Sequence, residues 1–98
     1  GPDYAAYFVR DSIGEIGNAI DEIEKLLQAH NLKAAANLAH NITSISGNTG
    51  MERTSNLART LEKLCGRDEQ SQIPFIFQQL NASFHSEATL LKSFLGKQ

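Results

Sequence analysis

A single histidine, His40, lies in the segment LAHNITSISGNTG, residues 38–50. A neutral imidazole can act as a nucleophile, exchange protons near neutral pH or bind a metal ion. If the segment is helical, the apolar residues Leu38, Ile42 and Ile45 point away from His40, so we expect the ring to face solvent. The residues that share its face carry small or uncharged side chains: Ala36, Asn37, Thr43, Ser44 and Gly47.

Two explanations fit this face of small side chains. His40 is either an ordinary surface histidine or a group that another molecule approaches closely. Exposed helix faces usually carry long polar side chains such as Lys and Glu, and this face lacks them for two turns. Gly47 costs a helix up to ~1 kcal/mol relative to alanine, which either a close approach or the end of the helix would explain.

Glu62 is a candidate partner for His40, provided that the helix carrying it runs antiparallel to the helix of His40. A carboxylate that accepts the Nδ1–H would fix the tautomer and leave Nε2 as the exposed nucleophile. The alternative for Glu62 is a charge that only water solvates.

The elements that position these residues are predicted to be helices, because apolar residues recur every three or four positions and no segment alternates with the period of two that strands require. We therefore predict an all-α fold, an up-down antiparallel four-helix bundle with helices at about 4–29, 32–47, 51–65 and 72–95. The stripe of the last helix consists of Ile73, Phe77, Leu80, Phe84, Leu91 and either Phe94 or Leu95.

Polar residues mark the predicted helix boundaries. Asn31 can cap the second helix with its side-chain oxygen. Thr49 and Glu52 have the spacing of a capping box at the start of the third helix. Residues 66–70 are predicted to form a loop, and Pro74 suits the first turn of the last helix.

The length of 98 residues and the hydrophobic content of 41% predict one domain, residues 3–98. The opening residues 1–2, Gly-Pro, are typical of the scar left when a purification tag is cleaved, so we expect a piece excised from a longer chain.

Charge and hydropathy argue against two classes of partner. The net charge is −2 and the basic residues are scattered, which predicts no nucleic-acid binding. No apolar run approaches the roughly 20 residues of a membrane span, so we expect no direct membrane contact by this fragment. One cysteine cannot form an internal disulfide, and we expect a cytoplasmic location.

A metal site is not predicted. His30, His40, Cys65 and His85 fall on different elements, without the short spacings at which helices or loops present metal ligands. Cys65 is expected to be a small buried hydrophobe.

Residues 39–62, AHNITSISGNTGMERTSNLARTLE, resemble the signature of histidine-containing phosphotransfer (HPt) domains of bacterial phosphorelays. That family typically reads A-H-x-L-K-G, with a glycine ten residues after the histidine and a later L-A-x-x-L-E. The residues that fall on those spacings are Ala39, His40, Ile42, Gly50, Leu57, Ala58, Leu61 and Glu62.

The resemblance implies that His40 accepts a phosphoryl group on Nε2 and exchanges it with an aspartate of a receiver domain. Glu62 would orient the imidazole, Thr43 would neighbour the phosphoryl group, and the receiver would dock on Ala36, Asn37, Ser44 and Gly47. No cofactor and no independent catalytic activity are expected, since the receiver supplies the Mg²⁺. The parent protein would be a hybrid sensor histidine kinase that is anchored in the inner membrane and contains its own receiver and kinase core, and this domain would be its C-terminal domain. Apart from the resemblance, a small domain with one exposed face is expected to be a monomer.

Two departures from the family pattern keep alternatives open. Thr43 and Ser44 replace the usual Lys-Gly, and Thr54 occupies a position that is usually apolar. A hydroxyl offers a phosphoryl group only a neutral hydrogen bond, roughly half as strong as that of a lysine. The alternatives are a degenerate HPt-like module that docks a receiver or kinase without being phosphorylated, and an unrelated helical adaptor that binds a partner helix.

Overall fold

The computed structural model describes residues 2–67 and 69–96, with side chains from residue 4 onward. Its helices are α1 (Pro2–Gln28), α2 (Leu32–Asn48), α3 (Glu52–Gly66) and α4 (Ile73–Gly96), and a 3₁₀ turn, Gln70–Gln72, precedes α4. These residues contain no strand, so the predicted all-α class is confirmed. Gly1 of the predicted scar, Asp68 of the predicted loop and the polar end Lys97–Gln98 lie outside the described residues.

The four helices pack in a ring, in which each helix contacts its neighbours along the chain and α1 also contacts α4. Residues 29–31 connect α1 to α2, and residues 49–51 connect α2 to α3. Because these connections are short, each helix packs back along the helix before it, and consecutive helices therefore run antiparallel. The predicted up-down four-helix bundle is confirmed.

The core is lined by one stripe from each helix, as the periodicity predicted. On α1 the fully buried apolar residues are all isoleucines, whereas α2 also buries Ala35 and Ala39 and α3 buries Ala58. Each fully buried aliphatic side chain contributes about 1.5–3 kcal/mol, and alanines let two helix backbones approach closely. As a result α2 and α3 form the most extensive helix pair. The core includes Ile16, Ile20, Ile23, Ala35, Ala39, Ile42, Ala58, Leu61, Leu80 and Phe84.

The start of α2 follows the prediction, since the Asn31 side chain accepts a hydrogen bond from the Ala34 N–H at 3.3 Å. Its end is a Schellman motif, in which Gly50 has φ 78° and the Met51 N–H donates to the Ser46 carbonyl at 2.9 Å. Only glycine adopts that φ without strain, which gives the glycine ten residues after His40 a structural reason.

The predicted capping box at the start of α3 is wrong. The Thr49 hydroxyl donates to the Ile45 and Ser46 carbonyls, both at 3.1 Å, and therefore belongs to the end of α2. The N-cap residue of α3 is Met51, which is buried in the core and makes no side-chain cap.

The helices have unequal lengths, so α1 and α4 extend past α2 and α3. By its 1.5 Å rise per residue α1 is about 40 Å long and α2 about 25 Å. Aromatic residues on the projecting ends are exposed, and Phe94 is 64% exposed while the neighbouring Leu95 is half-buried. Even so, none of the helices within residues 2–67 and 69–96 combines the length and apolarity needed to cross a membrane.

Candidate functional site

His40 lies in the middle of α2 and faces solvent. Ala35, Ala39 and Ile42 pack against the core, so the face of α2 that carries them points inward. His40 lies on another face of the same helix, and its ring points outward. The side chain is 66% exposed. An approaching molecule can therefore reach the ring without any displacement of the protein.

Glu62 of α3 lies beside His40, as the predicted antiparallel arrangement required. Nδ1 of His40 is 3.1 Å from Oε2 and 3.3 Å from Oε1 of Glu62, whose side chain is 35% exposed. An ionised carboxylate only accepts hydrogen bonds, so Nδ1 carries the proton and donates it. In the neutral ring the lone pair is then on Nε2, the nitrogen that faces away from Glu62.

The small residues predicted to share the face of His40 lie at or near the surface of α2. Asn37, Ser44 and Gly47 are exposed and Ala36 is half-buried. Gly47 lies before the end of α2 and is not among the residues with positive φ, so the helix end does not require it. A Cβ there would meet Ser55 Oγ at 3.5 Å, an ordinary contact, so packing against α3 does not require it either.

Thr43 is more constrained than its sequence position suggests. Its hydroxyl donates to the Ala39 carbonyl at 2.9 Å, one turn back in the same helix, and the side chain is half-buried. Ser55 Oγ donates to the carbonyl of Thr43 at 2.8 Å, which ties α3 to this turn of α2. With its proton used in the helix, the Thr43 hydroxyl in this rotamer has none to give a group on His40.

A buried polar cluster beside the core is a feature that the sequence reading missed. Thr54 is 0% exposed, and both its N–H, at 2.9 Å, and its hydroxyl donate to Oε1 of Glu87 on α4. Ser83 Oγ lies 3.3 Å from Thr54 Oγ1. The signal was available, since Thr54 and Ser83 are hydroxyl residues at inward positions of their helices.

Metal-binding groups do not gather in the described part of the chain, where no set of three histidine, cysteine or carboxylate side chains could hold an ion. Cys65 is buried, and burial raises the pKa of its thiol, which keeps the sulfur protonated and unreactive at neutral pH.

Three grooves in the described part of the structure lie away from His40. One of about 400 Å³ lies between the end of α1 and the start of α4, and one of about 330 Å³ follows the same two helices towards their other end. A third, of about 500 Å³, lies between α3 and α4. His40 lines none of these three, so its surroundings form an open surface suited to a protein partner rather than a cavity for a small molecule.

Fold and site together define the class of protein, a helical bundle that presents an exposed histidine, paired with a glutamate, on an open surface. The comparison with protein families identifies the family. The family model of the Hpt domain matches residues 8–89, and the chain therefore belongs to that family. The comparisons with curated proteins and with solved structures gave no match. Family membership makes this a phosphotransfer-type domain of two-component signalling, and Hpt domains typically pair with receiver domains.

Proposed function

We propose that His40 is the phosphoacceptor of a phosphorelay, which takes a phosphoryl group from the aspartyl phosphate of one receiver domain and passes it to the aspartate of another. The observation that carries the proposal is the pairing of His40 with Glu62, which leaves the exposed Nε2 with the lone pair. Membership in the Hpt family supports the same role.

The transfer needs no base on this chain. The Nε2 lone pair forms a bond to phosphorus while the bond from phosphorus to the aspartyl oxygen breaks, and the aspartate leaves as a carboxylate. Nδ1 keeps its proton throughout, so the ring becomes a phosphoimidazolium whose positive charge the Glu62 carboxylate stabilises. The same pairing keeps the ring a good leaving group for the reverse or onward transfer.

The partner supplies the rest of the chemistry. A receiver would bring the aspartate and the Mg²⁺ that offsets charge on the transferring group, so this domain has no independent catalytic activity. Its contribution is to hold one imidazole still and let the receiver approach across the small side chains of Ala36, Asn37, Ser44 and Gly47. The absence of long side chains on this face supports that docking surface.

The setting of the domain follows from the proposed role. We infer a cytoplasmic location, where receiver domains work, and a monomer that docks one receiver at a time. The receiver and a kinase core are inferred to belong to the same relay, in a parent sensor kinase or in partner proteins.

The test is to incubate the domain with a phosphorylated receiver and measure acid-labile phosphate on the domain. We expect label on the wild type and none on His40→Gln, with circular dichroism unchanged because the side chain is exposed. Receiver binding without label would favour a docking module that is not phosphorylated. If no receiver of the source organism binds or labels the domain, the remaining explanation is a helical adaptor of another kind.

A further inference from the structure

Phosphorylation of His40 would create a charge imbalance on this surface. A phosphoryl group carries about −1.5 to −2 charges at neutral pH. The Glu62 carboxylate offsets the positive charge that the phosphorylated ring carries, so the negative charge of the phosphoryl group itself stays uncompensated. Helix α2 carries one charged side chain, Lys33, seven residues and therefore about 10 Å along the helix from His40, and residues 34–51 contain none. Helix α3, which brings Glu62 to His40, carries cations of its own, Arg59 and Lys63 among them.

Two contacts define how α3 lies against α2. Ser55 Oγ donates to the carbonyl of Thr43, and Glu62 pairs with His40, seven residues further along α3. Because the helices run antiparallel, the turn of α3 between Ser55 and Glu62 lies level with the turn of α2 between His40 and Thr43. Arg59 occupies that turn, three residues before Glu62 and so on the same flank of α3.

The Arg59 side chain is available to bind an anion. It is exposed, and within residues 4–67 and 69–96 it takes part in no side-chain hydrogen bond or ion pair. Lys63, the next cation along α3, lies about 100° around the helix from Glu62, whereas Arg59 lies about 60° away. A guanidinium presents a planar pair of donors that matches two phosphoryl oxygens.

We infer that Arg59 binds the phosphoryl group on His40 and so compensates, from α3, for the lack of a cation within one turn of His40 on α2. The inference rests on the proposed function and adds a phosphoryl-binding residue to it. Arg59 would swing over His40 once the group is attached, and would lengthen the lifetime of the phosphohistidine by offsetting its negative charge.

The test phosphorylates the purified domain with phosphoramidate, in which the bond from nitrogen to phosphorus breaks and ammonia leaves as Nε2 is phosphorylated. No receiver is present, so docking plays no part. The lifetime of the acid-labile label is then compared between wild type, Arg59→Gln and Arg59→Lys. Arg53→Gln is the matched control, since Arg53 is an exposed arginine of the same helix that lines the groove shared with α4.

We expect Arg59→Gln to shorten the lifetime about two- to five-fold, the range of an exposed charge pair, and Arg53→Gln to leave it unchanged. Arg59→Lys should fall between them, and the difference should vanish at about 1 M salt, where the Debye length is roughly 3 Å. Equal lifetimes for wild type and Arg59→Gln, or a shorter lifetime in Lys63→Gln instead, would overturn the inference alone. A wild type that takes no label on His40 would overturn the proposed function as well.

Discussion

The hydrogen bond from His40 to Glu62 decides which ring nitrogen meets a partner. An exposed histidine without such a partner samples both tautomers, and a rotated ring would present Nδ1 close to the helix backbone. Glu62 removes that ambiguity with two oxygens at 3.1 and 3.3 Å. A residue on a different helix thus fixes the orientation and tautomer of an otherwise ordinary side chain.

Replacing Glu62 tests this assignment. Glu62→Ala should slow phosphoryl transfer about two- to five-fold, since it removes an exposed charge-assisted hydrogen bond. Glu62→Gln keeps an oxygen that can accept the Nδ1–H and should retain more of the rate, although it no longer stabilises the phosphoimidazolium by charge. Single-turnover transfer from a phosphorylated receiver measures both. Equal rates in Glu62→Ala and wild type would mean that Glu62 does not orient the ring.

His30 is the one described residue other than glycine with positive φ, at 57°. It follows the end of α1, where the Asn31 N–H donates to the Leu26 carbonyl at 2.8 Å in a Schellman motif that favours glycine. His30→Gly should raise the free energy of unfolding by about 0.5–1 kcal/mol, because relieved strain exceeds the entropy that glycine adds to the unfolded chain. Urea denaturation measures the change. His30→Ala, which keeps a Cβ, should show no such gain.

The start of α3 is stabilised by another helix rather than by its own sequence. Met51 provides no cap, and the Glu87 carboxylate on α4 accepts from the N–H and hydroxyl of Thr54 instead. A negative charge at this end also complements the helix dipole. This explains a hydroxyl at a position that is usually apolar in the family, because Thr54 forms a polar junction between α3 and α4.

We expect Glu87→Ala to lower the free energy of unfolding by about 1–3 kcal/mol, because it leaves the buried Thr54 N–H without a partner and the Thr54 hydroxyl with Ser83 alone. Glu69→Ala is the control: its 3.9 Å contact with Arg67 is exposed, and such pairs contribute about 0–1 kcal/mol. Chemical denaturation of both variants gives the comparison. Equal losses would show that the junction does not stabilise the fold.

The exposed face of α2 can be tested at Gly47. Gly47→Ala adds a Cβ at ordinary contact distance from Ser55 and should stabilise the helix by about 0.5–1 kcal/mol without affecting transfer. Gly47→Trp adds bulk over the proposed docking surface, and we expect it to slow transfer from a receiver at least tenfold, about 1.4 kcal/mol, with the helical circular dichroism preserved. Transfer at the wild-type rate would place the receiver elsewhere.

The molecule as a whole is unevenly packed. Its longest dimension is 44 Å, close to the length of α1 alone, while the most extensive contact is between the shorter helices α2 and α3. His40 and Glu62 lie on that pair, so the site is built on the best-packed part of the bundle. The projecting ends of α1 and α4 carry exposed aromatic residues such as Tyr4, Tyr7 and Phe94.

Hydrogen exchange should follow this division. Amides in the middle of α2 and α3, around Ile42 and Leu61, should open only by global unfolding, with free energies of about 5–15 kcal/mol. Those in the first two turns of α1 and the last turn of α4 should open at a cost near zero, because few buried contacts hold them. Exchange followed by mass spectrometry or NMR resolves these segments. Uniform protection along α1 would contradict the prediction.

Sequence periodicity was enough to predict four helices, their order and the outward face of His40, because each depends on spacing within one helix. Gly50 could also be recognised, since the end of a helix and its left-handed residue are local features. The pairing of His40 with Glu62 could be proposed once antiparallel packing was assumed.

Contacts between helices were decided only by the tertiary structure. Thr49 has the spacing of a cap for α3, yet α2 uses its hydroxyl, and Glu87 caps α3 from 33 residues away. Which side chain satisfies a helix end depends on the relative positions of two packed helices, and spacing along one helix carries no information about that. The same holds for the pairing of Ser55 with the Thr43 carbonyl, which depends on how α3 lies on α2 and on no motif in the sequence.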